Sequence, residues 1–128
     1  MATLYAQTSG TLQTNSASYT PIQGLAFTLP EGVKLDAVVI LNVPNPYATG
    51  NNYPGGNFGI AVDGHVLPMF ACFTYDSPQP QSSGRRPTTL VVGVPLTTKP
   101  QKIQAMWSGV RGATVHIDSP ASLCAFMD

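Results

Sequence analysis

Charge is what this sequence has least of. Only 9% of its 128 residues are Asp, Glu, Lys or Arg, with six basic residues cancelling six acidic ones, where an average globular domain carries about 25% charged residues. Without a net field nothing gathers nucleic acid or an anionic membrane from a distance, so neither is expected as a partner. A surface so poor in charge has to be built from Ser, Thr, Asn, Gln and backbone, and a small neutral domain of this kind tends to associate. Long apolar runs are missing as well, since the longest block, Ala37–Leu41, falls far short of the roughly 20 residues that span a bilayer. Met1–Thr8 carries neither the basic nor the apolar region of a signal peptide. The expectation is a soluble chain without membrane insertion, made in the cytoplasm, with non-classical release or action at the cell surface. The two cysteines, Cys72 and Cys124, have no CxxC companion, which excludes a disulfide scaffold or a cysteine zinc site and leaves two buried small hydrophobes as the expectation.

Helical periodicity is scarce too, because Gly, Pro or a β-branched residue interrupts nearly every window long enough for three turns. What remains is ample material for a core, 43% hydrophobic residues at a mean hydropathy of +0.07, and abundant turn formers, 12 Gly and 12 Pro. One domain over residues 1–128 follows from the length. Strand-like runs occur at Thr3–Thr8, Ser18–Pro21, Leu25–Leu29, Leu35–Val43, Asn57–Val62, Val66–Tyr75, Thr88–Leu96, Lys102–Ser108, Ala113–Asp118 and Ser122–Met127. Turn signals such as Pro30-Glu31-Gly32, Pro54-Gly55-Gly56, Asp63-Gly64, Ser83-Gly84 and Thr98-Lys99-Pro100 separate them. Roughly ten short antiparallel strands in one all-β domain mean a sandwich or jelly roll. Two long polar segments, Asn42–Asn57 and Asp76–Pro87, read as functional loops, because loops of about 12 residues or more are uncommon otherwise.

Three sets of residues could carry chemistry. His116 and Asp118 lie two apart and so share a strand face, which suits a metal pair or a base with its orienting acid. Only one other histidine exists, His65, and there is no GxSxG elbow, so a His–Asp pair organising a polar cleft or strand end outweighs both a metal site and a hydrolase. Arg85 and Arg111 each sit beside glycine, and in a chain with six basic residues they are informative: a guanidinium fork donates parallel hydrogen bonds to two oxygens. A structural ion pair with Asp118 or Asp76 is the plain alternative. Around them stand Tyr47, Tyr53, Thr74, Tyr75, Ser82, Ser83 and Trp107, rings and hydroxyls that match an amphiphilic ligand such as a sugar, although Tyr and Trp in β-proteins also serve as core or strand-pair residues.

Leu41–Asn52, read as LNVPNPYATGNN, resembles the N-terminal domain of a Burkholderia superlectin, a fucose-binding lectin with a tumour-necrosis-factor-like (TNF-like) fold. The resemblance continues through Cys72-Phe73-Thr74-Tyr75, Ser82-Ser83-Gly84-Arg85, Thr89-Leu90-Val91, Ser108-Gly109-Val110-Arg111-Gly112, His116-Ile117-Asp118-Ser119 and Ala121-Ser122-Leu123. It covers essentially the whole chain and is loosest over Met1–Pro30 and Asp63–Ala71. It implies a TNF-like jelly-roll sandwich and a bacterial, calcium-independent, non-catalytic lectin without cofactor or metal. The lectin forms a homotrimer that takes terminal α-L-fucose of fucosylated oligosaccharides between protomers. The sugar-contacting positions correspond to Tyr47, Asn57, Thr74, Tyr75, Ser82, Ser83, Arg85 and Arg111, with Gln81, His116 and Asp118 at outer positions that further sugars could touch. The resemblance assigns Thr74, Tyr75 and Arg111 to one protomer and Tyr47, Ser82, Ser83 and Arg85 to its neighbour. Asn57 stands where the family has a tyrosine wall, Ser83 where it has threonine and Gln81 where it has glutamate. The alternatives are a TNF-like protein-interaction module whose sugar specificity is altered or lost, and a His116-based hydrolase.

Overall fold

The computed structural model describes residues 2–82 and 84–127. Its elements are β1 (Ala2–Gln7), β2 (Leu12–Thr14), β3 (Thr20–Leu29), β4 (Asp36–Val43), β5 (Tyr47–Thr49), β6 (Gly55–Val62), β7 (His65–Thr74), β8 (Thr88–Pro95), β9 (Gln101–Val110), β10 (Thr114–Ile117) and β11 (Ser122–Met127). No helix among them is long and apolar enough to cross a membrane. Two four-stranded sheets, β1-β11-β4-β8 and β3-β9-β6-β7, make the layers, and a small sheet β2-β10-β5 joins strands from the connecting segments. Every pairing is antiparallel. Because β3, β6, β7 and β9 belong to one layer and β4, β8 and β11 to the other, the chain keeps crossing between sheets, which is the jelly-roll topology.

Period-2 alternation explains the layers. Ala37, Val39, Leu41 and Val43 on β4 point inward, as do Leu90, Val92 and Val94 on β8 and Leu123, Ala125 and Met127 on β11. They meet Ile22, Leu25, Phe58, Ile60, Ile103 and Trp107 from the other sheet in one core. Phe58 has no exposed surface, so Phe58→Ala removes about 3–5 kcal/mol of stability. Trp107, a candidate ring for a ligand on sequence grounds, belongs to this core.

Several expectations change at this level. The runs expected at Ser18–Pro21 and Leu25–Leu29 merge into one strand, β3, which starts only at Thr20 and whose register shifts between Pro21 and Ala26 around Gly24 at φ +91°. Pro54-Gly55-Gly56 is not a turn: Gly55 and Gly56 open β6, because a Cβ on Gly55 would lie against the carbonyl oxygen of Phe73 on the adjoining strand. The Asn42–Asn57 segment contains a strand of its own, β5, pairing with β10. Asp63 and Gly64, both at positive φ, form the two-residue hairpin turn that their sequence announces. The outer faces are not purely polar: Tyr5, Val38, Val91 and Phe126 are exposed on one sheet, and Val66, Met69 and Phe70 on the other. Nor are the cysteines buried hydrophobes, since Cys72 points outward from β7 and is exposed while Cys124 is half-buried, both free.

Candidate functional site

The candidate residues fall into two groups on one chain. The first is built around the β9–β10 turn. Arg111 and Gly112 occupy it at φ +52° and +77°, closed by a 3.1 Å hydrogen bond from Ala113 N–H to the Val110 carbonyl. Glycine at the second position suits this left-handed conformation, whereas Arg111 bears a cost of about 1 kcal/mol or more for it. The compensation is visible: Arg111 Nε donates to the Asn52 carbonyl at 2.9 Å and Nη2 to the Tyr53 carbonyl at 2.5 Å. Tyr53 also has positive φ, +50°, and its ring lies 5.9 Å from the Arg111 guanidinium carbon. Beside this turn, Thr74 ends β7 opposite Gly55, and Gly55 in turn faces Val110. Asn57 lies further along the same outer face, half-buried, its Nδ2 donating to Ser108 Oγ at 3.3 Å. Burial pushes the neighbouring Cys72 thiol above its usual pKa, and the Arg111 charge partly offsets this.

The second group is built on β5 and β10. Tyr47 faces His116 across the strand pair, and the two rings stack at 4.5 Å with planes 7° apart. The guanidinium of Arg85, from the β7–β8 loop, lies over the same Tyr47 ring at 4.4 Å. Its Nη1 and Nη2 donate to Asp118 Oδ1 and Oδ2, both at 2.8 Å, and Nη1 donates a second bond to the Asn45 carbonyl at 3.2 Å. The hydrogen bonds with Asp118 raise the pKa of Arg85 above its ordinary value. His116 Nε2 meets Thr49 Oγ1 at 3.1 Å. Burial lowers the pKa of His116, Asp118 opposes that shift and Arg85 adds to it.

The two arginines therefore expose different edges. Of the five N–H donors in a guanidinium, Arg85 uses the end-on pair on Asp118 and the outer Nη1–H on Asn45. That leaves the side-on edge, Nε–H with the second Nη2–H, without a partner among the described residues. Arg111 uses its side-on edge on Asn52 and Tyr53 and leaves the end-on edge.

Tyr75 stands between the groups. Its ring is buried, it packs edge-on to Phe73, and Arg86 lies 5.1 Å above it. Its hydroxyl donates to the Gly84 carbonyl at 2.7 Å and accepts from Ala48 N–H at 3.3 Å, tying the loop before Arg85 to β5. Gln81 and Ser82 are exposed on that loop, and Ser83 lies outside the described residues. Sequence reasoning singled out Arg86 with Arg85 on the second loop but missed Thr49, Asn45 and Asn52. Those three sit inside the segment read as a functional loop, but nothing local shows that Thr49 would meet His116 or that the Asn45 and Asn52 carbonyls would meet Arg85 and Arg111.

Asp118 does not orient His116, the arrangement ranked on sequence grounds below a pair that organises a polar cleft, because both carboxylate oxygens face Arg85 while the imidazole faces a threonine. The ion pair between Arg85 and Asp118, anticipated as an alternative, is present, with side chains 45% and 32% exposed. Among the described residues no group of three or more His, Cys, Asp or Glu could hold a metal. Cavities of about 190 Å³, lined by Pro21, Ala61, Gly64, Lys102, Gln104 and Met106, and about 420 Å³, lined by Glu31, Gly32, Val33 and Thr98, contain none of the candidate residues.

The family model described as "Bc2l-C, N-terminal domain" matches residues 9–126. No curated protein matches the chain. Among solved structures, the CBM36-1 domain of a multidomain xylanase from the hindgut metagenome of Trinervitermes trinervoides is similar at 12% identity, with 98% of this chain and 97% of that chain covered and a TM-score of 0.49.

Proposed function

The chain belongs to the Bc2l-C N-terminal domain family, and on that premise we propose that it is a bacterial lectin, non-catalytic and calcium-independent, that binds fucosylated glycans. Terminal α-L-fucose is held between protomers of a homotrimer. The observation that carries the reading is the division of the candidate residues into two groups. Arg111, Thr74 and Asn57 lie at one end of an outer sheet face, and Arg85, Tyr47 and the exposed Ser82 lie on the loop and strand edge around β5. Each group offers a guanidinium edge without a partner among the described residues, and neighbouring hydroxyls. Two such surfaces from adjoining chains enclose a small polyol from both sides, with the Tyr47 ring, stacked beside His116 and Arg85, holding the guanidinium in place. Gln81 and His116 lie beside the Arg85 group, where a second sugar of the glycan would pass. The exposed apolar side chains of both outer faces supply area for chain association.

Mixing variants tests the shared site. Arg85→Ala and Arg111→Ala chains bind no fucoside alone. Refolded together, they regain binding at every interface where an intact Arg111 of one chain meets an intact Arg85 of the next. Calorimetry with an α-L-fucoside that finds no recovery in verified mixed trimers sinks the shared site. Recognition of a protein partner with no glycan response on an array would favour the interaction-module reading instead.

A further inference from the structure

We propose that Asp118 is a positioning residue of the Arg85 half-site: it fixes the guanidinium so that only its side-on edge is offered to two neighbouring ligand oxygens. The inference rests on the lectin reading for its ligand and on geometry for the rest. Exposed ion pairs ordinarily contribute little, with the bidentate arginine–carboxylate pair as the exception. Here both Asp118 oxygens engage Arg85 at 2.8 Å, a third bond from Nη1 to the Asn45 carbonyl fixes rotation in the plane, and the Tyr47 ring covers one face of the guanidinium. With plane, rotation and end-on edge all specified, Nε–H and the remaining Nη2–H project in parallel, spaced for adjacent hydroxyls on one ring. An arginine without Asp118 could turn either edge outward, and binding would then bear the entropy of choosing one.

Asp118 acts through Arg85 in this scheme, with one acceptor site of each carboxylate oxygen taken by the guanidinium. The arrangement also accounts for why a carboxylate, normally a competitor for an arginine's donors, stands beside the candidate site. It withdraws the donors on one edge and orders those on the other.

The test compares wild type, Asp118→Asn and Asp118→Glu by calorimetry with a simple α-L-fucoside, alongside the Arg85 Nε–H resonance in each sugar-free protein and light scattering of assembly. The asparagine amide presents one acceptor oxygen and a donor NH2, so it cannot form the parallel two-oxygen pair; affinity should fall about tenfold and the Arg85 signal should broaden, with assembly unchanged. Glutamate, which restores a two-oxygen acceptor, should recover most of both. Unchanged affinity in Asp118→Asn, or no recovery in Asp118→Glu, overturns the proposal. If wild type binds no fucoside while the Arg85 signal is sharp and broadens in Asp118→Asn, the orienting role stands and the fucose reading falls.

Discussion

Side chains hold one of the two arginines, and backbone carbonyls hold the other. Arg85 is set by a carboxylate, an aromatic ring and one carbonyl, all reached from an exposed loop. Arg111 is set by its own left-handed turn and by two successive carbonyls of a facing segment whose Tyr53 is also at positive φ. Altering the first removes hydrogen bonds only among exposed side chains and one loop carbonyl, outside the strand ladders. The second is part of the fold, since its side chain satisfies backbone groups and offsets strain. Two glycine-flanked arginines of one chain thus rest on unequal structural foundations.

The largest expected effect separates these roles. Arg85→Ala and Arg111→Ala should each abolish measurable fucoside binding, a loss of about 1.5–3 kcal/mol for a charge-assisted hydrogen bond. Only Arg111→Ala should also lower the thermal midpoint, by the equivalent of about 1 kcal/mol. Calorimetry and thermal melts on both variants check this, and equal melting with wild-type affinity in both would mean that neither arginine serves a sugar.

Asn57 sharpens the Arg111 side of the comparison. Its amide is occupied by Ser108, so it presents a short polar edge where the resemblance has an aromatic wall. Asn57→Tyr should strengthen binding to simple α-L-fucosides by about 1 kcal/mol if the ring packs as an ordinary aromatic contact. A calorimetric titration showing no gain removes position 57 from the site.

A smaller effect belongs to the Arg85 side alone. His116 is held below the ordinary histidine value of 6.5 by burial, so the unfolded chain takes up this proton before the folded one as pH falls. Its contribution to stability is complete above about 6.5 and declines as pH drops through the lower folded value. His116→Phe keeps a ring against Tyr47 without a titrating group and should flatten that part of the melting profile. A slope identical to wild type would assign the acid sensitivity elsewhere. Smallest of all is chelation: both halves offer arginine donors and hydroxyls rather than clustered carboxylates, so EDTA should leave glycan binding unchanged. Loss in chelator with recovery in calcium would recast Asp118 as a ligand.

Much of the fold was legible because its signals are local. Alternation along Ala37–Val43 and Thr88–Pro95 marks strands with one buried face, and Asp63-Gly64 is a hairpin turn by its backbone demands. Less was legible where residues distant in sequence impose the conformation. Gly55 looks like a turn residue until the Phe73 carbonyl is brought against it, and β5 has too few residues to announce itself without β10 alongside. Of the candidate site, the two arginines, the tyrosines and the hydroxyl-bearing loop were proposed from the sequence. Their partners were not.

The sequence by itself determined an all-β sandwich, a surface short of charge and two glycine-flanked arginines among rings and hydroxyls. Those properties follow from composition, alternation and turn chemistry, which need no knowledge of distant contacts. Only the tertiary structure decided that Asp118 faces Arg85 rather than His116, that Tyr75 is a buried tie between loop and strand, and that Arg111 grips the carbonyls of Asn52 and Tyr53. Arg85 and Asp118 are 33 positions apart in the chain, and Arg111 and Asn52 are 59 apart. At such separations strand register chooses the partner, and with it the edge of each guanidinium that stays open.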